Sequence, residues 1–281
     1  MAIEIASRMD AEIISVDSMQ VYRGMDVGTA KPTVIERHGV PHHMIDVVDP
    51  ADDFSVADFR RIGRPILESG DRPVIITGGS GLHFRALVDP MSFAPTVPDL
   101  RTELEGSSLP ALVAELEGVD PDAGRHVDLA NERRVVRAVE IYRLSGETPS
   151  LRASSAEARE LDKYIPEIPF TAVGVDPGGL IDGRIERRLA GMRAGGLVDE
   201  VRTLRDRLGR TARHAVGYKE ILGYLDGKLS LDEAFDAVER NTRKLARKQR
   251  TWFQRDPRIR WIPWIEDEGE RVERALETLS L

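Results

Sequence analysis

The chain has 281 residues, which is enough for one large α/β domain or for a core domain with a smaller insertion. Hydrophobic residues make up 41% and charged residues 31%, as in a folded globular protein and unlike a disordered one. It contains no cysteine, which excludes disulfides, cysteine-ligated zinc and thiol catalysis. No run approaches the roughly 20 apolar residues that span a bilayer, and no basic, apolar leader is visible. We therefore expect a cytoplasmic protein without a membrane role.

The formal net charge is -8, from 40 basic and 48 acidic residues. An acidic total argues against a nucleic-acid partner only if the charge is spread evenly, because such partners are bound by local basic surface. The distribution of charge along the chain must decide this point.

The first half of the chain alternates short apolar runs with helical segments. Glu12–Val16, 44–48 and 73–77 are predicted as buried strands, and Ser55 with Asp58 forms a capping box that opens a helix reaching Glu68. This alternation predicts an α/β fold with a mainly parallel sheet.

Between residues 95 and 169 the strand-like runs disappear and helical segments take over, including one from about Ala130 to Leu144. A strand-like run returns at 171–175, and two further helices are predicted at 180–194 and 230–255. We expect a core domain formed by residues 1–94 and 170–281, with 95–169 as a helical insertion.

Two features follow predicted strands and could share one site. Asp17 and Ser18 end the first strand, and the glycine-rich turn Gly78-Gly79-Ser80-Gly81 ends the third. Ligands of open α/β sheets bind beyond the carboxyl ends of the strands, so a carboxylate and an anion-binding turn could converge there. Each has an ordinary alternative, because Asp17 could be a solvated turn residue or cap and short glycine turns after strands are common.

Two groups of cations are candidates for binding phosphates. Arg184 and Arg188 are four residues apart on one predicted helix and could clamp a diphosphate, although ion pairs with Asp182 or Glu186 would explain them equally well. The window 241–252 contains five basic residues and no acid: Arg243, Lys244, Arg247, Lys248 and Arg250. This basic stripe favours contacts with a phosphate backbone over a merely solvated helix face.

The remaining motifs are less specific. Arg133, Arg134 and Arg137 form a smaller basic cluster in the insertion. The histidines at 38, 42 and 43 have no suitably spaced partners, so no metal site is predicted. The tryptophans are expected to pack in the core, with Trp252 as the exception that could stack on a base.

Four segments carry a resemblance to a known family. They are VDSMQVYRGMDVGTAKP at 16–32, TGGSGLHF at 77–84, NERRVVRAVE at 131–140 and VGYKE at 216–220. Together they resemble the tRNA dimethylallyltransferases (the tRNA isopentenyltransferase, or MiaA, family) over nearly the whole chain. The resemblance implies a core like that of P-loop NTPases, with nucleotide and ATP binding typical of that class.

The implied activity is transfer of a dimethylallyl group from dimethylallyl diphosphate, with Mg²⁺, to N6 of the adenosine next to the anticodon on its 3′ side. Asp17 would accept the proton of the amine. The implied contacts with the anticodon stem-loop of tRNA involve Asp17, Ser18, Met19, Gln20, Ser80, Arg101, Asn131, Arg133, Arg134, Gly217, Tyr218, Arg247, Lys248, Gln249 and Trp252. Ser80, Arg184 and Arg188 would bind the diphosphate. We expect a monomer.

The chain departs from the family pattern in three places. Ser80 and His83 stand where threonine and tyrosine are usual, and the chain contains no G-x-x-x-x-G-K-[ST] loop, with which the family begins. We therefore expect the chain by itself to be a poor catalyst and an extended form to be more active. The alternatives are a tRNA-binding pseudoenzyme and a related small-molecule kinase.

Overall fold

The computed structural model describes residues 1–280, and its chain divides into two compact units. The first, Met1–Val88 with Pro166–Leu281, is called the core unit below, and the second, Asp89–Ile165, is called the insertion unit. Along the described chain, no helix is both long enough and apolar enough to span a bilayer.

The core unit contains five strands and eight α-helices within the described residues. Up to Val88 they are α1 (Ala2–Met9), β1 (Glu12–Val16), β2 (His42–His43), α2 (Val56–Ser69), β3 (Val74–Gly78) and α3 (Gly81–Val88). The insertion unit then provides α4 (Pro98–Glu105), α5 (Leu109–Val119), α6 (Glu132–Ser145), α7 (Pro149–Ala153) and α8 (Ala156–Asp162). The core unit resumes with β4 (Ala172–Asp176), α9 (Ile181–Ala194), α10 (Leu197–Leu204), α11 (Tyr218–Leu225), α12 (Leu231–Gln254), β5 (Ile259–Pro263) and α13 (Glu268–Leu279).

All strand pairs are parallel and form two sheets. The first has the order β2-β1-β3, and β4 pairs with β5 in the second. In the first sheet Val16 lies opposite Gly78, so the carboxyl ends of β1 and β3 meet at one edge. The predicted α/β class with parallel strands is confirmed.

The central strand β1 is fully buried from its second residue onward because it has a neighbour on each side. Its side chains join a core cluster that also contains Phe59 of α2, Leu87 of α3 and Tyr218 of α11. The largest helices have the caps that their sequences predict: Ser55 and Asp58 close a capping box on α2, and Ser230 and Glu233 close one on α12.

The insertion unit has its own apolar core. Leu104, Leu112, Leu116, Val135 and Val139 from three helices are buried together. Asn131 caps α6, whose C-terminal end is set by Gly146 in the left-handed conformation.

One strand prediction was wrong, and one strand was missed. The segment 44–48 is not a strand, because Met44 and Asp46 have positive φ angles and turn the chain after the two-residue β2. Strand β5 was not predicted at all, since only one of its five residues, Ile262, is buried and the short run follows closely on a long polar helix. Its partner β4 supplies the pairing that makes it a strand.

Candidate active site

The glycine turn after β3 lies against the end of β1. The backbone N–H of Ser80 donates to the carbonyl of Val16 at 3.1 Å. Gly78 has a φ of 150°, and a Cβ at this position would lie 2.2 Å from the same carbonyl oxygen. Only glycine allows this approach. The turn is therefore held beside Asp17, which follows Val16 directly.

A cavity of about 510 Å³ opens at this edge of the sheet. Seven of the residues proposed from the sequence line it: Asp17, Ser18, Met19, Ser80, Arg184, Arg188 and Gln249. The predicted convergence of a carboxylate, a glycine-rich turn and paired arginines thus has a common location, although these groups come from three separated parts of the chain.

The Asp17 carboxylate has one engaged and one available oxygen. Oδ1 accepts hydrogen bonds from the backbone N–H groups of Met19 at 2.8 Å and Gln20 at 3.3 Å. Oδ2 makes no hydrogen bond with the described residues. Asp17 therefore closes a turn, as its ordinary interpretation requires, and still offers an oxygen to a ligand in the cavity.

Arg184 and Arg188 both reach the cavity from α9. The alternative ion pairs are not formed, because Asp182 and Glu186 bind Arg243 instead, at 2.8 and 3.0 Å. Burial lowers the pKa of Arg188, while the negative charge of Asp17 acts in the opposite direction. Its side chain keeps solvent-exposed area because it lies on the wall of an open cavity.

Arg184 is held by a stacking contact. Its guanidinium carbon lies 3.4 Å from the ring centroid of Trp264, and Arg271 lies 4.0 Å from the same centroid. Burial and the positive charge of Arg271 lower the pKa of Arg184. Arg184 and Arg188 thus present two partly desolvated guanidinium groups to the cavity, where they would attract an anion. Arg187 lines the same cavity, which its place on the helix did not predict.

Ser80 and His83 form a hydrogen bond on the cavity wall. Ser80 Oγ lies 2.7 Å from His83 Nδ1. His83 is buried, its ring meets that of Phe59 edge to face at 4.8 Å, and burial lowers its pKa to about 4. The imidazole is therefore neutral at pH 7, and the serine hydroxyl has a fixed neutral partner.

Helix α12 packs closely on the glycine turn. A Cβ on Gly79 would lie 2.3 Å from the Gln249 amide, and one on Gly81 would lie 2.0 Å from the Trp252 indole. Trp252 nevertheless remains 43% exposed. Trp252 is therefore packed against the turn on one side and keeps exposed surface that could contact a planar partner.

The basic stripe on α12 separates into two classes. Arg243 binds Asp182, Glu186 and Glu239, and Arg250 binds Asp176 at 2.7 Å. Within residues 1–280, Lys244, Arg247 and Lys248 form no ion pair, although Arg247 Nε donates to the carbonyl of Arg243. The three unpaired cations are exposed and are the part of the stripe available to phosphates.

Several other proposed residues are engaged within the protein. The Gln20 amide binds Ser15 at 2.8 Å and the carbonyl of Thr29 at 3.2 Å. Gln20 does not line the 510 Å³ cavity, but it lines a smaller cavity of about 270 Å³ together with Asp17. Tyr218 is fully buried and donates its hydroxyl to Glu200 at 2.5 Å. Gly217 precedes α11 with a φ of 97°. Tyr218 and Gly217 therefore support the site without lining its cavity.

The insertion unit shows the same division between paired and unpaired arginines. Arg101 binds Glu105 and the buried Glu140, and Arg137 binds Glu140 and the carbonyls of Ala94 and Pro95. The exposed side chains of Arg133 and Arg134 have no ion pair or hydrogen bond in the described chain.

Sequence patterns missed part of the site. Gly28, Thr29, Val216 and Thr242 also line the cavity, and Gln249 further lines a larger cavity of about 970 Å³ bordered by β3, β4 and α12. For residues 1–280, no three His, Cys, Asp or Glu side chains are grouped so as to hold a metal ion.

The sequence of this chain matches a known family of transferases. Residues 20–256 match the IPP transferase family, so the chain belongs to that family. The tRNA dimethylallyltransferase of Bifidobacterium longum (strain NCC 2705) is 42% identical over 263 residues, covering 90% of this chain and 77% of the relative. That of Moorella thermoacetica is 39% identical over 292 residues, covering 98% and 89%.

Solved structures agree with the assignment. The tRNA isopentenylpyrophosphate transferase of Bacillus halodurans superimposes with a TM-score of 0.70 at 34% identity, covering 99% of this chain and 90% of that one. A eukaryotic dimethylallyltransferase acting on tRNA has a TM-score of 0.75 at 22% identity, covering 96% and 73%, and shares the fold. The fold is the P-loop-like α/β fold of these transferases.

Proposed function

We propose that this protein transfers a dimethylallyl group from dimethylallyl diphosphate to N6 of the adenosine on the 3′ side of the tRNA anticodon. One observation supports the proposal: Asp17, Arg184 and Arg188 line one cavity beyond β1 and β3, and Asp17 Oδ2 accepts no hydrogen bond from the described residues. A base and an anion site in one cavity are what alkylation of an amine by a diphosphate ester requires.

The reaction would proceed by attack of the adenine N6 nitrogen on C1 of the dimethylallyl group. The new C–N bond forms as the C–O bond to the diphosphate breaks, and the diphosphate leaves with the bonding electrons. Asp17 accepts the proton that the amine loses. Arg184 and Arg188 stabilise the negative charge that develops on the leaving group, while Ser18 and Ser80 donate hydrogen bonds in the cavity.

Mg²⁺ would enter with the diphosphate. Mg²⁺ is commonly held by one or two carboxylates together with substrate phosphates, and it does not need a cage of protein ligands. The Ser18 and Ser80 hydroxyls line the cavity and would supply oxygen ligands to an ion bound mainly by the diphosphate, with Asp17 left free as the base. When bound, the ion supplies charge neutralisation on the leaving group.

The tRNA would bind through the unpaired cations. Lys244, Arg247 and Lys248 lie on α12, whose Thr242, Leu245 and Gln249 line the cavity, and Trp252 is one turn further along the helix. Arg133 and Arg134 would bind the anticodon stem-loop from the insertion unit. Residues 95–169 would thus act as the tRNA-gripping insertion in a core of 1–94 and 170–281. We place this monomeric protein in the cytoplasm, where its tRNA substrate is found.

The test is prenylation of a synthetic anticodon stem-loop. The protein is incubated with dimethylallyl diphosphate, Mg²⁺ and a stem-loop that carries adenosine 3′ to the anticodon, and the product is digested and analysed by mass spectrometry. We expect one dimethylallyl group on that adenosine and none when guanosine replaces it. Modification at another nucleotide would disprove the proposed target, and no modification of either RNA would disprove the activity.

A further inference from the structure

The Glu200 carboxylate on α10 is bound by four donors. Oε2 accepts hydrogen bonds from the backbone N–H groups of Asp26 at 2.8 Å and Val27 at 2.7 Å. Oε1 accepts from the N–H of Gly28 at 3.0 Å and from the hydroxyl of Tyr218 at 2.5 Å. Three consecutive N–H groups on one carboxylate fix the position of a loop, because each is a charge-assisted bond.

The loop that Glu200 holds, residues 26–30, forms part of the cavity wall. Gly28 and Thr29 line the cavity, and the carbonyl of Thr29 accepts hydrogen bonds from Gln20 at 3.2 Å and from Arg188 Nη2 at 3.3 Å. The position of this one carbonyl therefore determines where the guanidinium of Arg188 lies.

Tyr218 supports the same loop from below. A Cβ on Gly28 would lie 2.5 Å from the Tyr218 ring, so the loop rests on the ring with no space between them. Burial and the charge of Glu200 raise the pKa of the Tyr218 hydroxyl, which keeps it protonated as a donor. The Tyr218 ring and the Glu200 carboxylate together fix the position of the 26–30 loop.

We propose that Glu200 is a positioning residue that places Arg188 for the diphosphate, acting through the 26–30 loop and the Thr29 carbonyl. This inference rests on the proposed function, since it concerns the same cavity. Glu200 itself does not line that cavity. Its effect is on binding of the prenyl diphosphate and on turnover, and not on the affinity for tRNA.

The test compares Glu200→Gln with Asp199→Asn. The amide of glutamine offers one acceptor oxygen and turns an NH₂ group toward donors, so the loop loses part of its anchor. Asp199 is the neighbouring residue on the same helix, and its exposed carboxylate binds only Arg202 among the described residues. Its variant therefore removes the same charge without touching the loop.

We expect Glu200→Gln to raise KM for dimethylallyl diphosphate about tenfold or more and to lower kcat, because small displacements of binding groups have effects of this size. KM for the stem-loop should change less than threefold, and Asp199→Asn should leave all three constants unchanged. A lower melting temperature with an unaltered KM for the diphosphate would mean that Glu200 is merely structural, and would overturn the proposal.

A second variant covers the case in which Glu200→Gln does not fold. Gly28→Ala leaves the carboxylate in place and pushes the loop from the Tyr218 ring, and it should also raise KM for the diphosphate. An unchanged KM in Gly28→Ala would overturn the inference. If the wild-type protein itself modifies no stem-loop, the proposed function fails, whereas an active wild type with unaffected variants refutes only the role of Glu200.

Discussion

Asp17 and Arg188 line the same cavity, and the negative charge of Asp17 partly opposes the lowering of the Arg188 pKa by burial. The proposed base, Asp17, and a proposed diphosphate ligand, Arg188, therefore share one cavity. Displacement at C1 of the dimethylallyl group needs a base near the attacking amine and a cation near the leaving diphosphate. This proximity also means that a bound diphosphate would compete with Asp17 for Arg188, leaving the carboxylate free to accept a proton.

Asp17→Asn should lower kcat by about 10²-fold or more, because it removes the base while its Oδ1 can still accept the hydrogen bonds from Met19 and Gln20. Affinity for the stem-loop should stay within a few-fold of the wild type. Single-turnover rates and filter binding measure the two effects. Turnover close to that of the wild type would exclude Asp17 as the base.

Arg188→Ala should raise KM for dimethylallyl diphosphate by about 10- to 100-fold, since a charge-assisted contact with the leaving group is lost. Arg193→Ala is the matched control, because Arg193 is on the same helix but binds Asp232 and stacks on Phe235 outside the cavity. Steady-state kinetics with varied diphosphate decide the matter. Equal KM values for the two variants would remove Arg188 from the diphosphate site.

The double variant Arg247→Ala with Lys248→Ala should weaken stem-loop binding and reduce its salt dependence by about two phosphate contacts. Arg243→Ala should change the salt slope less, because its charge is already balanced by three acids. Binding is measured by fluorescence anisotropy over a range of salt concentrations. If both variants show the wild-type slope, this face of α12 is merely solvated.

In the insertion unit, Arg133→Ala with Arg134→Ala should weaken binding of the stem-loop, again with a shallower salt slope. Arg143 provides the control on the same helix, because it is held by Glu103 and Glu115 at 2.8 and 2.7 Å. A stem-loop affinity equal to that of Arg143→Ala would mean that α6 does not contact the RNA.

Local patterns predicted the elements whose signals lie within a few residues. The capping boxes at Ser55 and Ser230 and the buried run of β1 are of this kind. The cavity was only partly predictable, because its members gather through the parallel pairing of β1 with β3 and the packing of α9 and α12. Glu200 gave no local signal, since its loop partners are 172 to 174 residues away.

The sequence also could not show which basic residues form ion pairs. The segment from Arg243 to Arg250 contains basic residues and no acid. The fold nevertheless brings Asp182 and Glu186 to Arg243, and Asp176 to Arg250. The strand predicted at 44–48 failed for a related reason, because an apolar run does not reveal the positive φ angles of Met44 and Asp46.

The buried His83 should make stability depend on pH. Burial lowers its pKa from 6.5 in an unfolded chain to about 4 in the folded protein. Between these values the unfolded chain binds a proton that the folded chain does not, so the free energy of unfolding falls as the pH is lowered from 6.5 toward 4. Above pH 6.5 His83 is neutral in both states and its contribution to the free energy of unfolding is constant.

At pH 5 the free energy of unfolding should be lower by about 2 kcal/mol because of His83. His83→Asn carries no titrating group and keeps a side-chain amide that can hydrogen-bond with the Ser80 hydroxyl. It therefore isolates this effect from the other titrating groups, including His42, whose pKa is also lowered by burial. Urea unfolding of both proteins at pH 7.5 and pH 5 should show a larger decrease for the wild type. An equal decrease in the two proteins would mean that His83 is protonated in the folded state, and its neutral hydrogen bond with Ser80 would have to be given up.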